Sequence, residues 1–431
     1  MSSDIPTTTV QKTADDDRTH VEADVCVLGA GISGVSAALE AAKAGADVVI
    51  VDAEPALGGQ AVGSIIGTII GLWTHGEDPY QLTHGIADEL LDDLTESGDA
   101  VVLEGGLTKV VQYDEVALQR WMERRADELG VRPLLGAVLT DVAFEDRRIQ
   151  HVDFATRYGD VRVEADGYVD ASGDGSLTYE AGLPMREPDE PVYGSMNFLI
   201  ENYDTEAAKD LDMDAVLERM AEVGEEYGLV REDGHLMPMP GKEFMLANIT
   251  HMETPLDPMG YADMVFEGRE EADATVEFLR AEFPEIFEGA EIRRYGNPGI
   301  RQTRWIQSRD QLTLDDLKGG ERPDDAVARG SWSVELHDTP EEVHWEHFEE
   351  GHVYYIPLSC MVPEGADNVV AAGRCIDADT EALSAIRVMG ICIGMGMGAA
   401  HALDLAGTDP VHEINSDALG DRLSANLDRT D

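Results

Sequence analysis

Basic residues, cysteines and long apolar runs are all scarce in this chain of 431 residues. Lysine and arginine total 31 against 87 aspartates and glutamates, and only six of the basic residues are lysine, so the net charge is −56. This charge argues against nucleic acid and anionic membrane as partners. The acids are spread along the chain, which is typical of a surface that stays soluble in concentrated salt, where repulsion is screened within about 3 Å at 1 M. We expect a halophilic, cytoplasmic protein; an acidic partner-binding face is the alternative.

The few cysteines exclude several redox classes. Cys26, Cys360, Cys375 and Cys392 form no CxxC pair, and each lies among apolar residues or glycines. This setting predicts buried free thiols and argues against a disulfide framework, an iron–sulfur cluster and a redox dithiol. The histidines of HWEH at 344–347 lack the HExxH spacing, so we predict no metal site.

Long apolar runs and a targeting pattern are also missing. The apolar runs at 61–73 and 388–400 end after 13 residues, which is too short to span a bilayer, so they predict buried segments and no membrane contact. The first 20 residues are polar and lack the basic-then-apolar order of a signal peptide. We interpret residues 1–20 as a disordered acidic tail.

The stretch DVCVLGAGISGVSAALEAAKAGADVVIVD, residues 24–52, has the pattern of a nucleotide-binding βαβ unit. Gly29, Gly31 and Gly34 form G-x-G-x-x-G after an apolar strand, which permits a tight turn, a close pyrophosphate and a closely packed helix at 33–43. The start of that helix favours phosphate. Asp52 ends the second strand, 18 residues after Gly34, as a carboxylate for a ribose hydroxyl. A tight strand–helix turn without a ligand is the alternative.

This motif does not separate NAD from FAD. Gly58 and Gly59 follow shortly after Asp52, in EPALGGQ. Adjacent glycines let the backbone pass close to a ligand that continues beyond its adenosine half, although such pairs also occur in simple loops.

The remaining sequence divides the chain into regions. Residues 113–129 have helical spacing, and the following residues alternate as a β-meander that leads to a buried strand, GYVDA, and to SGDGS at 172–176. Residues 191–350 have more methionine, glutamate and helical spacing, and NVVAAGRCI then resumes the opening pattern. We predict an α/β fold: a Rossmann-like domain with a central parallel sheet and a β-meander at 21–190 and 351–431, interrupted by an α+β substrate domain at 191–350.

One long helix is predicted over 381–406. Its glycines at 390, 394 and 398 lie on one face, although each costs about 0.8–1 kcal/mol relative to alanine. Close approach of another element explains this stripe. A helix start that lies against a negatively charged ligand is a further interpretation.

Together these segments resemble the FAD-dependent oxidoreductase family, whose members have a glutathione-reductase-like FAD-binding domain split by a substrate-side insertion. The resemblance is carried by VLGAGISGVSAALEAAKAG, LGGQ, YVDASGDGSL, GIRQTRWI, YYIPLSCMVP, NVVAAGRCIDAD and EALSAIRVMG. It covers nearly the whole chain after the tail. The first motif is common to many flavoproteins, whereas the order with IRQTRWI and AAGRCI is more specific.

The resemblance implies FAD as the cofactor and assigns positions to it. These are Gly29, Ala30, Gly31, Ser33 and Gly34 at the pyrophosphate; Asp52 and Ala53 at the adenosine ribose; Gly58, Gly59 and Gln60 on the path to the flavin ring; the backbone near Val138 at adenine; Ser172, Gly173 and Asp174 near the diphosphate; and Gly373, Arg374, Arg387 and Gly390 by the ribityl chain and ring.

The source of electrons stays open in the sequence. GMGMG at 394–398 has no strand before it, and no second GxGxxG is followed by a strand and an acid. Electrons are therefore expected from a small organic substrate, a partner or a separate carrier. The leading hypothesis is an enzyme that exchanges hydride between flavin and a small polar organic molecule, either with or without a carboxylate. The alternatives are a flavoprotein subunit that relays electrons in a larger complex and a non-enzymatic nucleotide-binding protein.

The candidates for chemistry lie in the insertion. Arg301 and Arg304 in GIRQTRWI are predicted to contact the substrate or the flavin directly, since guanidinium groups bind carboxylates bidentately and can anchor a substrate. A structural ion pair is the alternative, with so many acids available. His337 in SVELHD is the candidate proton shuttle, and His251 and His75 are the other histidines considered.

Overall fold

The computed structural model describes residues 18–239 and 241–430. Residues 1–17 of the predicted tail therefore lie outside the described residues. The first strand begins at Thr19 and so includes the last two residues of the predicted tail, because residues 19–23 pair with a long strand of the central sheet.

The first part of the chain forms a βαβ unit, a small three-stranded sheet and a meander. Its elements are β1 (Thr19–Leu28), α1 (Ile32–Lys43), β2 (Val48–Asp52), α2 (Gln60–Gly63), β3 (Thr68–Ile69), α3 (Ile86–Ser97), β4 (Ala100–Gly105), β5 (Thr108–Tyr113), α4 (Glu115–Glu128), β6 (Arg132–Leu135), β7 (Val138–Glu145), β8 (Arg148–Thr156), β9 (Gly159–Asp170), α5 (Ser176–Glu180) and β10 (Met185–Arg186).

The middle part contains two longer helices and mostly short strands. Its elements are β11 (Tyr193–Gly194), β12 (Phe198–Glu201), α6 (Met213–Tyr227), β13 (His235–Pro238), β14 (Phe244–Asn248), β15 (Met252–Glu253), α7 (Gly260–Glu282), α8 (Pro284–Phe287), β16 (Glu291–Tyr295), β17 (Trp305–Ile306), α9 (Leu314–Gly319), β18 (Ala326–Gly330), β19 (Val334–Leu336) and β20 (His344–Glu346).

The last part returns to the first domain. Its elements are β21 (Tyr354–Pro357), β22 (Val369–Ala371), α10 (Thr380–Ile386), α11 (Met389–Ala406), α12 (Ser416–Arg422) and α13 (Ser424–Asp428).

The central sheet confirms the predicted α/β class. Strands β6, β2, β1, β9 and β22 lie side by side and are parallel, while β7 and β8 extend the sheet as an antiparallel meander. The third meander strand and the buried strand GYVDA are one strand, β9, whose start pairs with β8 and whose end pairs with β22. The carboxyl ends of β1, β2, β9 and β22 meet at one edge, which is where open α/β sheets bind ligands.

The insertion has a hydrophobic core of its own. Strands β13, β14, β12 and β16 form an antiparallel sheet, and α6 and α7 contribute apolar side chains to the same core, which spans Phe198 to Ala290. The main core, in contrast, includes Ile306, Leu312 and Ala326–Ala328 together with the first and last parts of the chain. Residues 306–328 therefore contribute to the main core, although they lie within the predicted insertion at 191–350.

The predicted long helix is two helices. Helix α10 ends at Ile386, and Val388 has extended backbone angles, φ −69° and ψ 150°, before α11 begins. The 18 residues of α11 are apolar and long enough to cross a membrane by composition, but 78% of the segment is buried inside this fold. It packs against α1 and β18 as a core helix.

Candidate functional site

A cavity of about 1220 Å³ begins at the carboxyl ends of the parallel strands and continues to the insertion. Ordinary ligand pockets have about 300–1,000 Å³, so this cavity has room for a dinucleotide and a second molecule. Its wall contains most of the predicted site residues: Gly29, Gly31, Ser33, Asp52, Gly58, Gly59, Gln60, Ser172, Gly173, Asp174, Arg301, His337, Gly373, Arg374 and Arg387.

The glycines of the first turn have different tasks. A Cβ atom at Gly29 would lie 2.2 Å from the Ala171 carbonyl oxygen, and one at Gly34 would lie 1.9 Å from the Gly29 oxygen, so both positions are closed by packing. A Cβ atom at Gly31 would meet nothing within 4 Å and would point into open space at the cavity wall. Helix α1 has no side-chain cap and no acid in its first turn, so its first amides are left for an anion.

The carboxylate of Asp52 joins the two loops that bound the nucleotide end of the cavity. Its Oδ2 accepts a hydrogen bond from the Ala30 amide at 2.6 Å, and its Oδ1 accepts one from the Glu54 amide at 2.8 Å. These bonds hold the carboxylate at the cavity wall, in the position expected for a ribose contact.

The loop after β9 is organised by an acid that the sequence analysis did not single out. Buried Asp170 accepts hydrogen bonds from the Ser172 hydroxyl at 2.7 Å and from the Thr178 amide and hydroxyl at 2.9 and 2.8 Å. Burial raises the pKa of Asp170, and these hydrogen bonds oppose the rise. The Ser172 hydroxyl therefore shapes the loop that presents Asp174 to the cavity.

Asp174 and Arg374 form a pair across the cavity wall, with Arg374 Nη2 at 2.8 Å from Asp174 Oδ1. Burial acts to raise the pKa of Asp174, but the charge of Arg374 and the hydrogen bonds from Thr303 and Arg374 lower it overall. Arg374 therefore reaches the cavity with much of its charge already compensated.

Six predicted site residues do not line the cavity. Gly390 packs against the loop that follows β3, since a Cβ atom there would lie 2.5 Å from the Gly71 and Leu72 backbone and its amide donates to the Ile70 oxygen. The guanidinium carbon of Arg304 lies 3.8 Å from the Tyr179 ring centroid, outside the cavity wall. The other four are Ala30, Gly34, Ala53 and Val138.

The glycine stripe of α11 is explained by packing. Cβ atoms at Gly394 and Gly398 would lie 3.1 Å and 2.6 Å from the Cβ atoms of Ala328 and Val327, and one at Gly396 would lie 2.2 Å from the Ser33 oxygen. The start of α11 still reaches the cavity through Val388 and Met389, and it has no side-chain cap. The break before α11 thus sets a helix N-terminus at the cavity.

Three of the arginines that line the cavity, Arg301, Arg387 and Arg231, lie near His337. Arg301 donates to the Tyr193 oxygen at 2.8 Å and to the Ser195 hydroxyl at 3.0 Å, and Arg387 donates to the Glu335 carbonyl oxygen at 3.0 Å. Arg231, the third, is paired with Asp233. Among the described residues, neither Arg301 nor Arg387 has a carboxylate oxygen within 4.0 Å. Burial, followed by the charges of Arg387 and Arg231, lowers the pKa of Arg301.

Two histidines and a glutamate form a chain beside these arginines. His251 Nδ1 lies 2.9 Å from the Pro340 oxygen, and its Nε2 lies 3.0 Å from His337 Nδ1. His337 Nε2 lies 3.2 Å from Glu335 Oε1. Burial lowers the pKa of His251 to about 4. Burial and the charges of Arg301, Arg387 and Arg231 also lower the pKa of His337.

His75 stands at another wall of the cavity. Its ring makes an edge contact with Trp332 at 5.5 Å, and Trp345 and His347 continue this aromatic wall. Burial, followed by the charge of His347, lowers the pKa of His75 to about 4. The nearby Trp73 is not part of this wall, because it lies in the main core and does not line the cavity.

A glutamate behind the histidine chain gives a test of this electrostatic environment. Glu271 accepts a hydrogen bond from the His251 amide at 2.8 Å, and burial raises the pKa of Glu271 from 4.5 to about 7. Because the folded state holds this proton more tightly, stability falls as pH rises between these values. We expect Glu271→Gln to raise the free energy of unfolding by about 2–3 kcal/mol at pH 8 and by much less near pH 5.

Chemical denaturation at the two pH values measures this difference. Glu277→Gln, at an exposed position of α7, is the matched control and is expected to show no such pH dependence. An equal rise in the free energy of unfolding from both substitutions, or no rise from Glu271→Gln at pH 8, would contradict the environment described for Glu271.

Sequence reasoning missed Glu335, Arg231 and Ser195, which complete this end of the cavity. Glu335 stands two residues from His337, and this spacing on a strand was the available signal. Arg231 and Ser195 come from loops distant in sequence and carried no motif. Among the described residues no group of three or more His, Cys, Asp or Glu side chains is arranged to hold a metal ion.

These features fit a flavin dinucleotide. The open space at Gly31 and the uncapped start of α1 suit a diphosphate, Asp52 suits a ribose, and the volume extends well past the adenosine half. The residues at that wall are Gly29, Gly31 and Ser33, with Gly58 to Gln60 on the way to the arginines. The fold and the site together define a flavoprotein with one two-part cavity for a dinucleotide and a second molecule.

The family model for FAD dependent oxidoreductases matches residues 24–423. The chain belongs to this FAD-dependent oxidoreductase family, is an enzyme of that class, and uses FAD, as the resemblance predicted.

Two fumarate reductase (cytochrome) sequences, from Shewanella frigidimarina and from its strain NCIMB 400, are 31% identical over 123 residues. This match covers 28% of the chain and 19% and 18% of those proteins, so the chain spans less than a fifth of their length.

Among solved structures, a geranylgeranyl bacteriochlorophyll reductase-like protein from Thermoplasma acidophilum is 12% identical, with 95% of this chain and 93% of that chain covered and a TM-score of 0.47. A flavin-dependent brominase is 12% identical, with 94% of this chain and 83% of that chain covered and a TM-score of 0.48. The p-nitrophenol 4-monooxygenase from Pseudomonas putida DLL-E4 is 13% identical, with 96% of this chain and 87% of that chain covered and a TM-score of 0.47.

Proposed function

We propose that this enzyme exchanges a hydride between its flavin and a small carboxylate-bearing substrate. Arg301 and Arg387 bind the carboxylate, and His337 serves the accompanying proton. When bound, FAD supplies the hydride chemistry, and the residues of the chain orient the substrate and handle charge.

The observation that carries the proposal is that Arg301 and Arg387 have no carboxylate partner among the described residues. In a chain of net charge −56, both guanidinium groups line a cavity and have hydrogen-bond partners that are neutral oxygen atoms. Buried charges are ordinarily paired, and a guanidinium fork is suited to a carboxylate. An anionic substrate supplies the missing partner.

The aromatic wall of His75, Trp332 and Trp345 lies on the same cavity, and it favours a substrate with an apolar or planar part beside its carboxylate. Electrons that enter or leave the enzyme between turnovers are expected to pass to a separate carrier or to a second substrate. The relay of electrons within a larger complex is the alternative to direct turnover.

A metabolite screen tests this function. The FAD-loaded protein is mixed without oxygen, in molar KCl, with small 2-hydroxy, 2-amino and saturated carboxylates, and the flavin absorption is followed. After chemical reduction, the same protein is mixed with unsaturated and 2-oxo carboxylates. We expect at least one carboxylate to bleach or restore the flavin, and its amide not to. A reaction with neutral compounds alone would contradict the proposal.

We also propose that the enzyme works at high salt in a cytoplasm, as its scattered acids indicate. The screening length falls from about 10 Å at 0.1 M salt to about 3 Å at 1 M, so repulsion among the surface carboxylates weakens strongly. The free energy of unfolding is expected to rise by several kcal/mol between 0.1 M and 2 M KCl. Thermal unfolding in KCl, compared with sucrose of equal osmolality, measures this; equal effects of the two solutes would contradict charge screening as the cause.

A further inference from the structure

His251, His337 and Glu335 form a hydrogen-bonded row. If both histidines are neutral and Glu335 is ionised, this row has one hydrogen-bond acceptor more than it has hydrogens to donate. The Pro340 carbonyl can only accept, so the hydrogen between it and His251 is on His251 Nδ1. A neutral His251 then has a lone pair on Nε2 and accepts from His337 Nδ1 at 3.0 Å. With its hydrogen on Nδ1, a neutral His337 presents a lone pair on Nε2.

This lone pair faces another acceptor. Glu335 Oε1 lies 3.2 Å from His337 Nε2, and an ionised carboxylate has no hydrogen to donate. The Glu335 side chain is held in place, because its Oε2 accepts from Trp332 Nε1 at 2.9 Å. His337 is buried and Glu335 is partly buried, and two acceptors at this separation repel each other unless one hydrogen lies between them.

We propose that the link between His337 Nε2 and Glu335 Oε1 holds one exchangeable proton, that this proton accompanies each hydride in the reaction, and that His251 positions it by fixing the tautomer of His337. Both His337 and Glu335 line the cavity, so the link is open to a substrate. For oxidation, the link first releases its proton to water; the substrate then gives two electrons and one hydrogen nucleus to the flavin as hydride, and one proton to the emptied link. Reduction takes a hydride from the reduced flavin and a proton from the link, which regains one from water.

The surrounding charges decide how this proton is shared. Arg301, Arg387 and Arg231 face His337 and disfavour a full imidazolium, while Glu335 faces both Arg301 and Arg387. Asp233 compensates Arg231. A carboxylate bound by Arg301 and Arg387 would remove part of this positive field, so substrate binding strengthens the hold of the link on its proton. The role of the link in turnover rests on the proposed function, because it needs the carboxylate substrate. The number of protons in the link does not depend on that function.

The proton count is measurable in the FAD-free protein at pH 7 in molar KCl. Nitrogen NMR of ¹⁵N-histidine-labelled protein gives the protonation of each ring nitrogen, with assignments from His337→Asn and His251→Gln. Infrared difference spectra between the wild type and Glu335→Gln show whether Glu335 carries a carboxylic acid group. In Glu335→Gln, the amide can donate a fixed hydrogen to His337 Nε2, so the shared proton is lost while the chain of hydrogen bonds remains.

We expect His337 Nδ1 to carry hydrogen and the link to carry one proton. The proton appears either as a protonated His337 Nε2 or as a carboxylic acid band that Glu335→Gln removes. A bare Nε2 together with no such band, or a hydrogen on His251 Nε2 in place of Nδ1, would overturn the proposal.

The positioning role of His251 has its own variants. His251→Leu removes the acceptor for His337 Nδ1 and is expected to mix the tautomers of His337, whereas in His251→Gln the side-chain oxygen can accept and the wild-type tautomer is expected to return. The control is His401→Leu, because His401 and Glu40 form a pair at 3.1 Å elsewhere in the fold. If His251→Leu leaves the tautomer of His337 unchanged, His251 does not position it; if that variant does not fold, Glu335→Gln alone decides the proton count.

Turnover separates this inference from the proposed function. With the carboxylate found in the screen, Glu335→Gln is expected to lower kcat by about 10²–10⁴-fold with little change in KM, since only proton transfer is affected. A screen without a reactive carboxylate overturns the proposed function, while a full kcat in Glu335→Gln overturns the role of the link.

Discussion

Gly31→Val is expected to yield a folded protein that does not bind FAD. A side chain at residue 31 meets no atom of the fold within 4 Å, and residue 31 is the N-cap of α1 at the cavity wall. Each charge-assisted hydrogen bond lost by the diphosphate costs about 1.5–3 kcal/mol, so the affinity for FAD should fall at least about 100-fold. Titration of the FAD-free protein with FAD, followed by flavin fluorescence, measures the loss.

Gly420→Val provides the matched control. Gly420 lies in α12, and a Cβ atom there also meets nothing within 4 Å. The control is expected to bind FAD as the wild type does, and both variants should keep the wild-type thermal stability without FAD. Full flavin binding by Gly31→Val would show that the diphosphate lies elsewhere.

Arg301→Met is expected to abolish the response to carboxylates while FAD stays bound. A buried charge that loses its partner costs about 3–5 kcal/mol, which corresponds to about 10²–10³-fold or more in affinity. In the FAD-loaded protein, we expect the flavin absorption change on titration with the carboxylate from the screen to vanish. Arg301→Lys should recover part of it, because it keeps the charge but loses the guanidinium fork.

Arg280→Met is the control for Arg301→Met. Arg280 lies in the same insertion, donates to a backbone carbonyl oxygen at 2.6 Å as Arg301 does, and does not line the cavity. It is expected to leave both the flavin and the carboxylate response unchanged. Equal carboxylate affinities in Arg301→Met and the wild type would exclude Arg301 from the substrate site.

The βαβ unit was predictable because its chemistry is local. Gly29, Gly31 and Gly34 act through backbone geometry set within one turn, and Asp52 follows from the length of one helix and one strand. The family resemblance correctly indicated FAD and the α/β class. The adenine contact that the resemblance implied near Val138 could not be checked from the sequence, since only the packing of β7 shows that the Val138 side chain is exposed.

The substrate end was less predictable because its parts come from separate segments. Arg301 and Arg304 are three residues apart, yet one reaches the cavity and the other lies on Tyr179. The apolar pattern also hid the break between α10 and α11, where Val388 is extended and Arg387 turns to the Glu335 carbonyl. Such contacts depend on tertiary packing, which spacing along the chain does not encode.

A crystal structure of the enzyme grown with FAD in molar KCl tests the central claim most directly. The account predicts density for one FAD that contacts Asp52, passes Gly31 and ends beside the wall that contains Arg301, Arg387 and His337, with space for a carboxylate between ring and arginines. Density in which the flavin ring lies away from that wall, or in which FAD occupies another surface, would contradict the account.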